Sequence, residues 1–368
     1  MSMTLTIDAV HEATPGPKWT ARWARSWPAY EAWFIARGGD NGPSAAACRD
    51  AITQYMPELT PVHDRLTALA GGTDRAARFL STWCPPAYLG GCSLAAVADA
   101  TDVRLVRNYD LSPDLNEGLL LHSAWTGRGV MGMVEFLWGL SDGINDAGLS
   151  VALAFGGRSQ TGRGFGITTI LRYVLETCDT VAQGIAALRR IPSHMAYNIV
   201  LADADGRTAS VEMAPGGGAR LMPQAIATNH QSGPEPADRP DFTRSFERHD
   251  FLKSTRLRPA DVNAAFLKPP LLQNRYAEGF GTLFTAEYAP LTRRLGLTIA
   301  GDRWDQAIDD FTEGQRVVHY GQAATAVSGG QPDWSRAAQI DWIAVAQDYA
   351  TGRGRAIADY LPDQSNAA

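Results

Sequence analysis

Residues 90–110 read GGCSLAAVADATDVRLVRNYD. Two β-rich runs, CSLAAVADA and VRLVRNY, flank Thr101-Asp102 and are expected to form a hairpin. Gly90 and Gly91 precede the first run, where glycine lets the backbone bend or approach a neighbour closely. Cys92 stands at the head of the strand. Taken alone, Leu89-Gly90-Gly91-Cys92-Ser93 fits a small buried hydrophobe as well as a nucleophile, because free cysteine is among the most buried residue types. The return strand shifts that balance. Arg107 and Asp110 follow the thiol by 15 and 18 residues, and a tight hairpin carries both back toward it. Strict alternation sets them on opposite faces, so they are expected to meet only if the strand ends or bulges near Tyr109. By itself RNYD also fits an exposed edge strand.

Upstream of this stretch the pattern is helical, from Lys18 to about Trp83. Trp19, Trp23 and Trp27 recur every four residues, Ser44 can cap a helix through Ala51, Ile52 and Met56, and another begins at Thr73. Pro28 and Pro57 limit these helices. Downstream, short strands and glycine turns take over: LLLHSAW, MVEFLWGLS and GLSVALAF, the last two joined through Asp142-Gly143. Ile167, Ile170, Leu171, Val174, Leu175 and Cys178 then mark a helical stripe. Thr180 and Gln183 form a capping box for a second helix that stops before Pro192. Strands resume at AYNIVLAD and RTASVEMA around Asp205-Gly206, then ARLMP and QAIATNH, with a later hairpin of GTLFTAEYAP and RRLGLTIAG. SGPEPADRP, residues 232–240, is a loop, and the last sixty residues read as polar helix. Strands, two consecutive helices and strands again are not the alternation of a doubly wound sheet. They predict an α+β fold of packed sheets with helices outside, in two parts: a helical N-terminal segment, 1–91, and a body, 92–368.

Composition narrows the function classes. Of 368 residues, 45% are apolar and 20% charged, with net charge −6, so no basic field points to nucleic acid. No run of about 18 apolar residues is present, which argues against a membrane span. The N-terminus lacks a basic start followed by an apolar core, so the cytoplasm is the expected location. Cys48, Cys84, Cys92 and Cys178 form no CxxC and are expected to be reduced. Seven histidines form neither HExxH nor a close pair, and no metal is expected. The glycine-rich run Gly156–Gly166 lies between a strand and a helix, where a phosphate could bind. It lacks the Walker lysine and does not match GxGxxG, so no nucleotide cofactor is expected. The tryptophan stripe with Lys18, Arg22 and Arg25 suits a membrane surface, but packing against the protein's own core is the preferred reading.

In order along residues 83–300, GCS, RNYD, DGINDAGLSVAL, LRYVLETCDTVAQGIAALRRIP, NIVLADADGRTASVEMAP, ATNH and GTLFTAEYAP resemble the N-terminal-nucleophile (Ntn) hydrolases related to choloylglycine hydrolases. The branch they are most similar to is the acyl-CoA:6-aminopenicillanate acyltransferase group, peptidase family C45. The resemblance implies a four-layer αββα sandwich, made as a precursor and cut before the nucleophile. Gly91–Cys92 would be the self-cleaved bond and Cys92 the nucleophile, with Arg107 and Asp110 beside it and Asn229 at the oxyanion site. A later arginine joins the site, and RSFERHDFL offers both Arg244 and Arg248. Phe155, Gly156 and His230 would border the substrate pocket. No cofactor is implied.

The chemistry is consistent with this. A freed Cys92 carries an α-amine of reference pKa about 7.7–8.0 beside a thiol of about 8.5, so the amine can serve as base without a histidine. Arg107 would favour thiolate, and Asp110 would orient the amine. The expected activity is hydrolysis of a linear amide, an N-acyl amine or N-acyl amino acid, through an acyl-enzyme. Acyl transfer from a thioester or amide to an amine is the alternative, and an unprocessed binding protein of the same fold is the second. The two cleavage products should stay associated, the partner is a small-molecule amide, and a homo-oligomer is compatible with the sequence.

Overall fold

The computed structural model describes residues 3–88 and 90–320. Strand β1 (Met3–His11) opens the chain, followed by helices α1 (Pro17–Ala36), α2 (Ala45–Tyr55), α3 (Thr60–Leu69) and α4 (Asp74–Ser81). Then come β2 (Gly91–Ala98), β3 (Val103–Leu111), β4 (Leu119–Ser123), β5 (Val130–Glu135), β6 (Gly139–Asn145) and β7 (Ser150–Phe155). Helices α5 (Ile167–Thr177) and α6 (Val181–Arg190) precede β8 (Tyr197–Ala202), β9 (Thr208–Met213), β10 (Ala219–Leu221) and β11 (Ile226–Ala227). The rest is α7 (Pro240–Thr243), α8 (Ser245–Ser254), α9 (Pro259–Phe266), β12 (Asn274–Arg275), β13 (Phe280–Ala289), β14 (Arg294–Ile299), β15 (Asp302–Ala307) and β16 (Gly314–Tyr320). Ser44, Thr73 and Thr180 cap α2, α4 and α6 through their side-chain oxygens, as expected.

Two sheets result. One runs β10-β9-β8-β7-β6-β5-β4-β1-β16, the other β11-β2-β3-β13-β14-β15 with β12 on β13. Between them, Leu94, Leu105, Leu283 and Ala286 of the second sheet meet Met131, Ile144, Ala152 and Val200 of the first. Ile170, Leu171 and Val174 of α5 cover the outer face of the first sheet against Leu140, Val151 and Ile199. On the other outer face, Leu252, Val262 and Phe266 of α8 and α9 pack on Ala95 and Val106. The architecture is therefore a four-layer αββα sandwich. Trp19, Trp23, Ile52, Leu66 and Phe79 of the N-terminal helices join the cluster around α5, so the tryptophan stripe packs inward. Among the described residues no helix is long and apolar enough to cross a membrane.

Three expectations need correction. Met3–His11 alternates, with Leu5, Ile7 and Ala9 inward, and forms a strand ahead of the helices. Asp142-Gly143 is not a turn: both lie inside β6, and the chain reverses at Phe136–Trp138. Gly143 serves close packing there, since a Cβ would stand 2.8 Å from Leu175 Cδ1 and 2.9 Å from the Met131 carbonyl oxygen. Within the supposedly helical last sixty residues, Gly314–Tyr320 is a strand pairing with β1. Residues 321–368 lie outside the described residues.

Candidate active site

The β2–β3 register sets Cys92 opposite Tyr109, Leu94 opposite Arg107 and Gly91 opposite Asp110. Directly opposed residues share a face. Cys92, Arg107 and Tyr109 therefore point between the sheets, while Ser93, Asn108 and Asp110 point toward α8 and α9. The two faces carry different chemistry.

On the inter-sheet face, one Arg107 terminal nitrogen donates to Cys92 Sγ at 3.2 Å. The other donates to Ser141 Oγ at 2.8 Å and to Asp142 Oδ2 at 2.7 Å. The Arg107–Asp142 pair is fully buried. Tyr288 fixes the carboxylate from its other side, donating its hydroxyl to Asp142 Oδ1 at 2.8 Å, and the Arg107 guanidinium lies 4.3 Å from the Tyr109 ring centroid. Burial pushes the Cys92 thiol up to about 11, with Arg107 opposing that rise. Desolvation alone would lower the Arg107 value, but Cys92, Asp142 and Glu135 outweigh it and hold the guanidinium charged.

The opposite face organises the backbone of residue 92. Asn229 Oδ1 accepts the Cys92 N–H at 3.0 Å and an Arg248 terminal N–H at 2.7 Å. Arg248 also donates to the Cys92 carbonyl at 2.6 Å and to Ser93 Oγ at 2.8 Å, and stands 3.5 Å from Asp110 Oδ2. Thr282 donates its hydroxyl to Asp110 Oδ1 at 2.7 Å. The Asn229 amide donates to the Phe155 carbonyl at 3.1 Å, which fixes the orientation of this side chain between two donors and one acceptor. Burial raises Asp110 above the usual carboxylate range, with Arg248 and Thr282 opposing; burial lowers Arg248.

Gly91 is required by contact. A Cβ there would stand 2.3 Å from the Phe280 ring and 2.9 Å from the Asp110 carbonyl oxygen. The ladder is irregular at Tyr109, but the extra residue lies in β13, where Thr282 pairs with Asp110 and Phe284 with Tyr109, while β3 stays regular against β2 and leaves Arg107 and Asp110 on opposite faces. Arg107 and Asp110 thus flank Cys92 from two sides: the arginine holds the sulfur, and the aspartate faces the backbone through Arg248.

Of the two candidate arginines, the structure brings in Arg248. Arg244 sits half-exposed before α8 and pairs with Glu247. His230 bonds Ser245 Oγ at 2.8 Å and is pushed down to about 4 by burial, then by His249 and Arg248. Gly156 packs against Ala196, donating its N–H to that carbonyl at 2.8 Å. Cys84 lies off the site with its N–H on the Gly164 carbonyl, and burial raises its thiol. Sequence reading missed Ser141, Asp142, Tyr288 and Glu135. The available signal was an acid directly following the strand-like run MVEFLWGLS, masked by its reading as an Asp-Gly turn. Among the described residues no three His, Cys, Asp or Glu side chains cluster as a metal would require.

Residues 98–304 match the family model described as acyl-coenzyme A:6-aminopenicillanic acid acyl-transferase. No curated protein sequence matches the chain. Solved structures similar to it include penicillin V acylase from Agrobacterium tumefaciens, at 15% identity over 58% of this chain and 84% of that one, with TM-score 0.40. A mutant conjugated bile acid hydrolase from Clostridium perfringens shares 12% identity over 66% of this chain and 100% of that one, TM-score 0.39. An N-acylethanolamine-hydrolyzing acid amidase ortholog from Caenorhabditis elegans shares 17% over 54% and 93%, TM-score 0.40.

Proposed function

Because the chain belongs to the acyl-coenzyme A:6-aminopenicillanic acid acyl-transferase family, we propose that it is a self-processed N-terminal-cysteine amidohydrolase acting on a linear amide. The observation that carries this reading is the division of labour at Cys92: a guanidinium on the sulfur, and an Asn229–Arg248–Asp110 set around the backbone of the same residue.

The first event is cleavage of Gly91–Cys92. The Cys92 thiolate, favoured by Arg107, attacks the Gly91 carbonyl carbon. The C–N bond breaks, the nitrogen takes a proton, and a thioester remains that water hydrolyses. Residues 1–91 and 92–368 are the products, and Cys92 now carries an α-amine. In turnover that amine, reference pKa about 7.7–8.0, accepts the thiol proton and returns it to the leaving amine. The acyl group rests on Sγ as a thioester until water attacks its carbonyl carbon. The Asn229 amide N–H that does not donate to the Phe155 carbonyl serves the oxyanion, a donor whose loss costs about 10²–10³ in rate in comparable sites.

A second reading follows from the family description: the acyl group passes to an amine in place of water. Both share every step up to the thioester. The test is denaturing intact mass and N-terminal sequencing, followed by product analysis of an amide substrate with and without a competing amine. One uncut chain with full amidase activity would sink the processing step. Exclusive acyl transfer in the presence of amine would replace hydrolysis by the second reading.

A further inference from the structure

Cys92 is 1% exposed while the linker ahead of it is intact, so a substrate carbonyl has no path to the sulfur. The linker is held at Cys84, through the Gly164 carbonyl, and again at Gly91 in β2. Between these points no hydrogen bond ties the backbone of residues 85–88 to the body among the described residues, and Pro85 and Pro86 have no N–H to give. What seats the segment is the Tyr88 side chain. Its ring lies 4.6 Å from Phe136, 5.2 Å from His194, with which it stacks, and 6.1 Å from Tyr197. Beside the ring, the space left is a cavity of about 10 Å³, the size of one water.

The far end of this slot is polar and unsatisfied. A Cβ on Gly166 would stand 3.3 Å from the Tyr88 hydroxyl, which places that hydroxyl at the start of α5. Gly166 provides no side-chain cap there. Tyr88 Oη, Thr168 Oγ1 and His194 Nε2 are all buried, Thr168 and His194 being 0% exposed, and the Tyr88 phenol faces the Thr168 hydroxyl, Tyr197 and the Ile167 backbone without closing a hydrogen bond of ordinary geometry to any of them. Buried polar atoms are almost always paired. Polar groups gathered around one phenol, none of them at ordinary hydrogen-bond geometry to it, describe a site that the linker fills only approximately.

We propose that this slot is the acyl pocket of the processed enzyme and that it selects acyl groups ending in a hydroxylated aromatic ring. Tyr88 occupies the place of that ring until Gly91–Cys92 is cut. The inference rests on the amide chemistry proposed above and adds the substrate class. Phe136, Tyr197 and the His194 ring offer flat faces that favour a ring over a flexible alkyl chain. Thr168 Oγ1 and the first amides of α5 suit a phenol, which both accepts and donates. Slot and nucleophile lie close along the chain, because Tyr88 precedes Cys92 by four residues. Four residues of linker span at most about 14 Å. Once cut, the segment after Cys84 keeps one anchored end and ring contacts alone, so a substrate competes for the slot.

The test uses processed protein and coumarinyl amides of ω-(4-hydroxyphenyl) acids of graded chain length, each against its ω-phenyl and straight-chain counterparts. The hydroxylated member at the best length should lead in kcat/KM by about tenfold, and Thr168→Val should bring that ratio to about one. The matching free acids are titrated calorimetrically in parallel. A hydroxyl preference in binding that Thr168→Val removes sustains the pocket even if no amide is turned over, in which case the amidase reading alone fails. A chain that stays uncut is titrated as it stands and as Tyr88→Gly, and binding confined to the variant sustains the pocket. No hydroxyl preference in rate or binding, a preference that survives Thr168→Val, or no binding to the Tyr88→Gly chain overturns it.

Discussion

Arg107 meets a thiol, a hydroxyl and a carboxylate with one guanidinium, and only the planar fork of arginine reaches all three. Asp142 is the partner that makes this burial tolerable. Asp142→Asn should leave the charge uncompensated and cost about 3–5 kcal/mol, the usual penalty for breaking a buried pair from one side. Urea unfolding of the variant in a Cys92→Ala background, where no cleavage intervenes, measures it; a loss below about 1 kcal/mol would show the pair to be dispensable. The same geometry singles out Cys92 among the thiols, since among the described residues no arginine donates to Cys84. Cys92→Ala should abolish both cleavage and turnover, and Cys84→Ala should leave both largely intact. Thiol-directed labelling with peptide mapping of the processed protein checks this: preferential modification of Cys84, or an active Cys92→Ala enzyme, refutes the assignment.

At the level of elements, the hairpin was legible because its alternation is regular across the β2–β3 pair, but the expected meeting of Arg107 and Asp110 on one face did not follow, because the register shift falls in β13 and leaves β3 alternating. Other features were hidden for physical reasons. Asp142-Gly143 has the composition of a turn, and only the arginine waiting across the sheet makes an acid acceptable inside β6. Arg244 and Arg248 are one helical turn apart, and burial depth, which sequence does not state, separates them. The true turn is unexpected: Phe136 and Leu137 both adopt positive φ, +57° and +68°, which bulky residues rarely do. Glu117 supports it by accepting the Leu137 N–H at 3.0 Å, while Tyr30 donates its hydroxyl to the same carboxyl. Burial lifts Glu117 from 4.5 to about 7. Below pH 4.5 the carboxyl is protonated folded or unfolded; between 4.5 and 7 only the folded chain keeps the proton. Its stabilisation is therefore full in acid and lost as pH rises through about 7, a swing of up to about 3 kcal/mol. Glu117→Gln should flatten the difference in unfolding free energy between pH 5 and pH 8 by roughly that amount. An unchanged pH dependence in the variant would assign the slope to other groups.

For the whole molecule, the decisive question is whether cleavage at Gly91–Cys92 releases anything. The 1–91 piece contributes more than a cover of helices. Its strand β1 lies inside the nine-stranded sheet, parallel to β4 on one side and antiparallel to β16 on the other. Leu5, Ile7 and Ala9 point into the layer between the sheets, beside the same cluster that holds Cys92. Its helices place Trp19, Trp23, Phe34, Ile52, Leu66, Phe79 and Leu80 in the cluster around α5. Fully burying one such side chain is worth about 1.5–3 kcal/mol, so these residues together outweigh the entropy gained by separating two chains, about 4–15 kcal/mol. Departure would also strip both edges of β1 of their hydrogen bonds and open the sheet at β4 and β16. The processed protein should therefore show two masses under denaturing conditions and elute as one species in native buffer, parting only where the body itself unfolds. Native elution of residues 1–91 apart from a folded remainder would mean that β1 is not an integral strand of the mature enzyme.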